Sequence, residues 1–231
     1  MPHTAPTRRA GFDWLMAAAV AAMAAAFVRA IYFTPTERLQ GLAQKIFYVH
    51  VPSAWVGFLA FGLTAIAGGV WLFIKDARLD RFAESSAEVG VIFTTGVLVS
   101  GPLWGKPIWG AWWVWDARLT STLFLWFLFL GYLVLRSAVD EREARARYSA
   151  VVGILGALLI PFIHLSVYLF RTQHPTPVVA NTAGIQMPGV MVTTLFIALG
   201  AFTLLYIALV RQRMQLAVER DELLDASTAE S

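Results

Sequence analysis

The sequence predicts an all-α integral membrane protein: six transmembrane helices with an external tryptophan-rich segment. Three observations carry that prediction. Apolar residues make up 58% of the 231 and charged residues only 14%, against about 25% charged in an ordinary soluble domain. The apolar residues gather in six runs, most of them near the roughly 20 residues needed to cross a hydrocarbon core. Lys and Arg concentrate in alternate connecting segments, the pattern that orients a chain in a bilayer.

The six runs cover residues 14–32, 54–74, 89–104, 119–135, 148–170 and 190–210, in a single polytopic domain over 1–231. In lipid an unpaired backbone N–H or C=O is too costly to leave, so each run is expected to be helical. The first is alanine-rich and follows Arg8 and Arg9; that pattern also fits a cleaved leader, but its length favours a retained helix. The second follows Tyr48-Val-His-Val-Pro-Ser-Ala-Trp55. The third and fourth are shorter and flank the tryptophan-rich segment. The fifth contains Pro161 and His164, so a bend is expected there. The sixth leads into a polar tail, 219–231, expected to fray.

Of the 18 Lys and Arg, twelve lie in one set of segments: Arg8, Arg9, Lys75, Arg78, Arg81, Arg136, Arg142, Arg145, Arg147, Arg211, Arg213 and Arg220. The other six are Arg29, Arg38, Lys45, Lys106, Arg118 and Arg171. The excess of positive charge marks the cytoplasmic side. Both termini are then cytoplasmic, and the tryptophan-rich segment faces outward with the segments 32–53 and 171–189. The net charge of +3 is accounted for by this orientation and calls for no nucleic acid. With no cysteine in the chain, disulfides, thiol redox chemistry, iron–sulfur clusters and covalent haem attachment through a C-x-x-C-H of its own are excluded. No phosphate-binding glycine loop, zinc-binding H-E-x-x-H or G-x-S-x-G nucleophile elbow is present.

Residues 101–121 read GPLWGKPIWGAWWVWDARLTS, with five of the nine tryptophans between Trp104 and Trp115. Aromatic rings collect at membrane–water boundaries, but such a belt normally supplies one or two per helix end. Five together make a platform for a large, flat, mostly apolar ligand. If the platform is helical, Trp109, Trp112, Trp113 and Asp116 share one face. Asp116 and Thr120 are both good caps for the fourth helix. His50, just before the second helix, and His174, just after the fifth, stand on the same side as the tryptophans. Imidazole is a common axial ligand of haem iron, and two from separate elements could hold the metal from opposite faces. His164, inside the fifth run, reads as a neutral polar residue tied to neighbouring helices. Arg118, Lys106, Arg38, Lys45 and Arg171 place positive charge where the topology predicts scarcity. They suit the carboxylates of a ligand such as haem, or equally lipid phosphates.

At Trp109-Gly-Ala-Trp-Trp-Val-Trp-Asp116 the chain matches W-G-x-x-W-x-W-D, the tryptophan-rich signature of haem-handling membrane proteins. With six spans and the segment 48–55, it resembles the CcmC family, the haem exporter protein C of bacterial cytochrome c maturation. The resemblance implies that haem b is held as bound cargo at the outer, periplasmic face of the inner membrane. It implies covalent loading of the haem chaperone CcmE, with the ABC-type subunits CcmA and CcmB and the small membrane protein CcmD as further partners in the bilayer. His50 and His174 correspond to the family's outer histidines; Trp109, Gly110, Trp113, Trp115 and Asp116 belong to its signature, with Trp104, Trp112 and Arg118 as neighbours. The protein is then expected to position haem rather than to act through catalytic residues of its own. A b-type electron-transfer subunit and a permease subunit without haem are the competing readings.

Overall fold

The structure, a computed structural model, describes residues 12–170, 172–175, 184 and 187–229. Among them are seven α-helices: α1 (Trp14–Val28), α2 (Phe47–Ile74), α3 (Ala77–Trp109), α4 (Ala117–Ala138), α5 (Arg142–Ala157), α6 (Leu159–Leu169) and α7 (Gly189–Ala229). A π-helix, Arg29–Phe33, prolongs α1, and a short 3-10 helix, Leu42–Ile46, leads into α2. With α5 and α6 in line, six helical stretches are long and apolar enough to cross a membrane. The protein is a multi-pass helical membrane protein.

Each boundary has a local cause. Asp13, Asp76, Asp116 and Glu141 turn their carboxylates onto the free N–H groups that open α1, α3, α4 and α5, the usual remedy for unpaired donors at a helix start. At the other end of α2, Lys75 adopts the left-handed conformation and its N–H bonds the Trp71 carbonyl at 2.9 Å. Its ammonium lies 4.0 Å from the centre of the Trp71 ring. The fifth run breaks at Leu158, between α5 and α6, because Pro161 has no N–H to give to the carbonyl of Ala157.

Three elements differ from the sequence prediction. The helix predicted from 54 begins at Phe47 and continues through Pro52, losing only the bond that residue 52 would make one turn back. His50 therefore lies within α2, not before it. The third helix begins at Ala77, twelve residues ahead of its apolar run, because acidic residues in that stretch are paired in the interior. The tail is helical to Ala229, not frayed: Arg220, Asp221 and Asp225 on α7 pair with Glu84, Arg81 and Arg142.

α2 is the hub, packed on α3, α5 and α7. Small residues let it approach closely, as apolar solvent gives helices little other reason to associate. A Cβ on Gly90 would stand 2.6 Å from Phe61, and one on Gly68 would stand 3.1 Å from Ala150. At the end opposite the tryptophans, buried Arg136 joins Asp80 and Glu84, and Glu84 also holds Arg220. That network ties α3, α4 and α7 together and leaves the other end of the bundle to carry a cavity.

Candidate functional site

The cavity opens where α2, α3 and α4 meet the chain on either side of Trp112 and the segment after α6. One face of each helix lines it: His50, Ala54 and Phe58 from α2; Val97, Leu98, Gly101, Trp104, Gly105 and Ile108 from α3; Arg118, Leu119 and Thr122 from α4. These are the one-turn spacings that put residues on a single helical face. Trp109, Trp112 and Trp113 close one wall, and Gln173, His174 and Pro175 close another. The cavity is about 240 Å³, a little below the roughly 300–1,000 Å³ of ordinary small-molecule sites.

The tryptophan-rich segment is not a continuous helix. α3 ends at Trp109, and Gly110 takes a positive φ of 76° with its N–H on the Lys106 carbonyl. Lys106 fastens the turn by donating from Nζ to the Gly110 carbonyl at 2.9 Å. Residues 110–116 are irregular until Asp116 starts α4 by accepting from Leu119 N–H at 2.8 Å. The shared helical face predicted for Trp109, Trp112, Trp113 and Asp116 therefore does not form, because a glycine in the left-handed conformation stops the helix after the first of them. Instead the Trp109 ring folds back over Gly105, where a Cβ would meet it at 3.0 Å.

His50 and His174 reach the same cavity from elements 124 positions apart in the chain. His50 is buried; its Nδ1 lies 2.9 Å from Ser100 Oγ, and the Trp104 ring stands edge-on to it at 5.7 Å. His174 is half-buried, with Nδ1 2.8 Å from the Pro175 carbonyl. A carbonyl can only accept, so Nδ1 of His174 carries the proton and Nε2 keeps its lone pair. Burial and the nearby Arg118 guanidinium push this imidazole down to about 4, so it is neutral at physiological pH. A neutral imidazole with a free nitrogen is the form that binds a metal.

Arg118 is within electrostatic reach of both histidines. Among the described outer cations it alone lines the cavity. Arg29 donates to Thr194, Lys45 to the Thr34 carbonyl and Lys106 to Gly110; Arg171 lies outside the described residues. Among the described residues, one guanidinium nitrogen of Arg118 and the indole N–H of Trp113 are buried without a hydrogen-bond partner. Two such donors beside an apolar wall fit a guest that carries a carboxylate.

Other predicted residues stand back. Asp116 serves α4 as its cap and makes no hydrogen bond to a histidine or to Arg118. Trp115 is 76% exposed and reaches the cavity only through Trp113, whose ring it meets edge-on at 5.7 Å. His164 bonds weakly to the Ile160 carbonyl of its own helix at 3.3 Å and rests against Phe58; it is exposed on the bundle rather than tied into it. Gln40 and Ser100 escaped sequence reasoning. Gln40 accepts from Trp104 Nε1 at 3.0 Å and lines the cavity, but no local pattern in the sequence distinguishes it.

Fold and site together define a polytopic helical membrane protein with an aromatic cavity flanked by two imidazoles at one end of its bundle. The family model for Heme exporter protein C matches residues 4–228. The chain belongs to that family. It is 36% identical over 211 residues to a Heme exporter protein C of Bradyrhizobium diazoefficiens, covering 91% of this chain and 78% of that one. It is 40% identical over 194 residues to one of Haemophilus influenzae, covering 81% and 77%. A putative cytochrome c biosynthesis ccmC-like mitochondrial protein of Marchantia polymorpha is 37% identical over 164 residues, covering 71% and 67%.

Proposed function

We propose that this protein holds haem b as cargo at the outer face of the cytoplasmic membrane and presents it for covalent loading of the haem chaperone CcmE. The family supports a role in haem handling for cytochrome c biogenesis, within a haem-exporter complex that we take to include CcmA, CcmB and CcmD. One observation carries the finer reading: two imidazoles from distant parts of the chain share an aromatic cavity with a guanidinium that has one buried nitrogen without a hydrogen-bond partner among the described residues.

In this reading His50 and His174 would hold the iron through Nε2, and Arg118 with the Trp113 N–H would take a propionate. Trp104, Trp109, Trp112 and Trp113 cover the macrocycle and keep water from it. The exposed Trp112 and Trp115 form the edge to which the acceptor comes. Haem supplies the reactive vinyl group; the chain binds, orients and shields it. The excess of Lys and Arg at the opposite end of the bundle supports cytoplasmic termini.

The test is an absorption spectrum of the detergent-purified protein expressed with and without its acceptor. Wild type should carry a Soret band, and His50→Ala and His174→Ala should each lose or shift it. Unchanged spectra in both variants would remove the ligand assignment, and rapid reduction by a quinol would favour an electron-transfer subunit. A reporter fused to the C-terminus that reads out as external would overturn the orientation.

A further inference from the structure

Resting on the reading of His50 as an iron ligand, we propose that Ser100 is its positioning residue: one turn of α3 fixes the imidazole with Nδ1 protonated and Nε2 turned to the cavity. Three contacts from that turn meet the ring. Ser100 Oγ lies 2.9 Å from Nδ1. Gly101 lets α3 approach so closely that a Cβ there would stand 3.3 Å from His50 Cε1. Trp104 closes the edge at 5.7 Å and 67°, held in turn by Gln40.

The hydroxyl has one proton to give, and the geometry decides where it goes. Ser100 Oγ is 2.6 Å from the Gly96 carbonyl and 3.4 Å from that of Val97. Neither carbonyl can donate, so both contacts require the proton of Ser100. Toward His50 the hydroxyl oxygen can then only accept. Nδ1 must be the protonated nitrogen, and the lone pair lies on Nε2, which has no partner among the described residues. The chain Nδ1–H to Ser100 Oγ–H to the Gly96 carbonyl also makes the imidazole more electron-rich, as hydrogen bonds to the remote nitrogen of metal-bound histidines do. His174 reaches the same tautomer through the Pro175 carbonyl, so each of the two imidazoles is set by an acceptor on its far side.

The test uses the full-length protein purified in detergent with haem. Three variants are compared with wild type and with His50→Ala: Ser100→Ala, and the shape-matched pair Ser100→Thr and Ser100→Val. Loss of the acceptor should weaken haem binding about tenfold or more, the usual effect of removing an outer partner of a ligating histidine. It should also raise the reduction potential of the bound haem, because a less electron-rich imidazole stabilises the oxidised iron less. Ser100→Ala and Ser100→Val should show both changes, and Ser100→Thr neither. Nitrogen-15 resonances of His50 in the haem-free protein should report Nδ1–H in wild type and in Ser100→Thr, and a tautomer mixture in the other two. If Ser100→Ala cannot be purified, the Thr and Val pair decides the matter. Identical behaviour of Thr and Val, or an unchanged potential and affinity in Ala, overturns the role of Ser100. A His50→Ala protein with the wild-type spectrum would instead overturn the ligand reading on which it rests.

Discussion

Arg136 grips both carboxylate oxygens of Asp80, at 2.7 and 2.8 Å, across the interface between α4 and α3. Its side chain is 3% exposed, and it also reaches Glu84 at 3.1 Å. Removing one partner from a buried ion pair typically costs about 3–5 kcal/mol, because the other charge is left uncompensated. Arg136→Ala should therefore lower the thermal stability of the detergent-solubilised protein substantially. Lysine should not restore it, since a single ammonium cannot make the two-pronged contact. The last turns of α7 should become protease-sensitive with it, because Glu84 also anchors Arg220.

Trp113 and Trp115 are expected to separate haem binding from haem delivery. Trp113 lines the cavity and Trp115 stands outside it. Trp113→Ala should reduce haem affinity on the order of tenfold, about 1.4 kcal/mol, read by haem titration. Trp115→Ala should bind haem nearly as wild type does yet give less haem-loaded acceptor. Equal haem loss in both variants would show that the outer indole also belongs to the binding surface.

Arg118→Leu should weaken binding by the worth of a hydrogen bond to a charged group, about 1.5–3 kcal/mol. Haem with both propionates esterified should bind wild type with a similar loss. Combined, the two changes should cost little more than either alone, since both remove one interaction. Additive losses in that titration would place the propionates elsewhere.

His174 gives a pH prediction for the haem-free protein. Its imidazole is held down to about 4, below an ordinary 6.5. Protonation therefore favours the unfolded or opened state: this contribution to stability is fully present above pH 6.5 and is lost as pH falls through 6.5 toward 4. Nitrogen-15 spectra should show a neutral His174 at pH 5.5, where an exposed histidine is mostly charged. The segment around it should detach at lower pH, and Arg118→Leu should move the titration upward by removing the nearby positive charge.

Much of the fold was legible in the amino-acid sequence. Apolar runs in lipid must be helical, and Asp116 was one of two good caps for the fourth helix, beside Thr120; the structure uses Asp116. What misled was local as well. The second helix was read from the apolar run that begins at 54, which put His50 before the helix and hid the His50, Ala54, Phe58 face. A mixed-charge tail looked frayed because its partners, Arg81, Glu84 and Arg142, lie far away in the chain.

The sequence by itself determined the membrane class, the six spans, the charge bias between the two sides and the tryptophan signature. All of these follow from hydropathy and spacing along one segment at a time. Only the tertiary structure decided that His50 and His174 face one cavity, that Arg118 rather than Lys45 or Lys106 supplies its charge, and that Ser100 sets the tautomer of His50. Those outcomes depend on which polar atoms are buried together and which already have partners. Such pairings join residues 50 or more positions apart, and no pattern within a single helix encodes them.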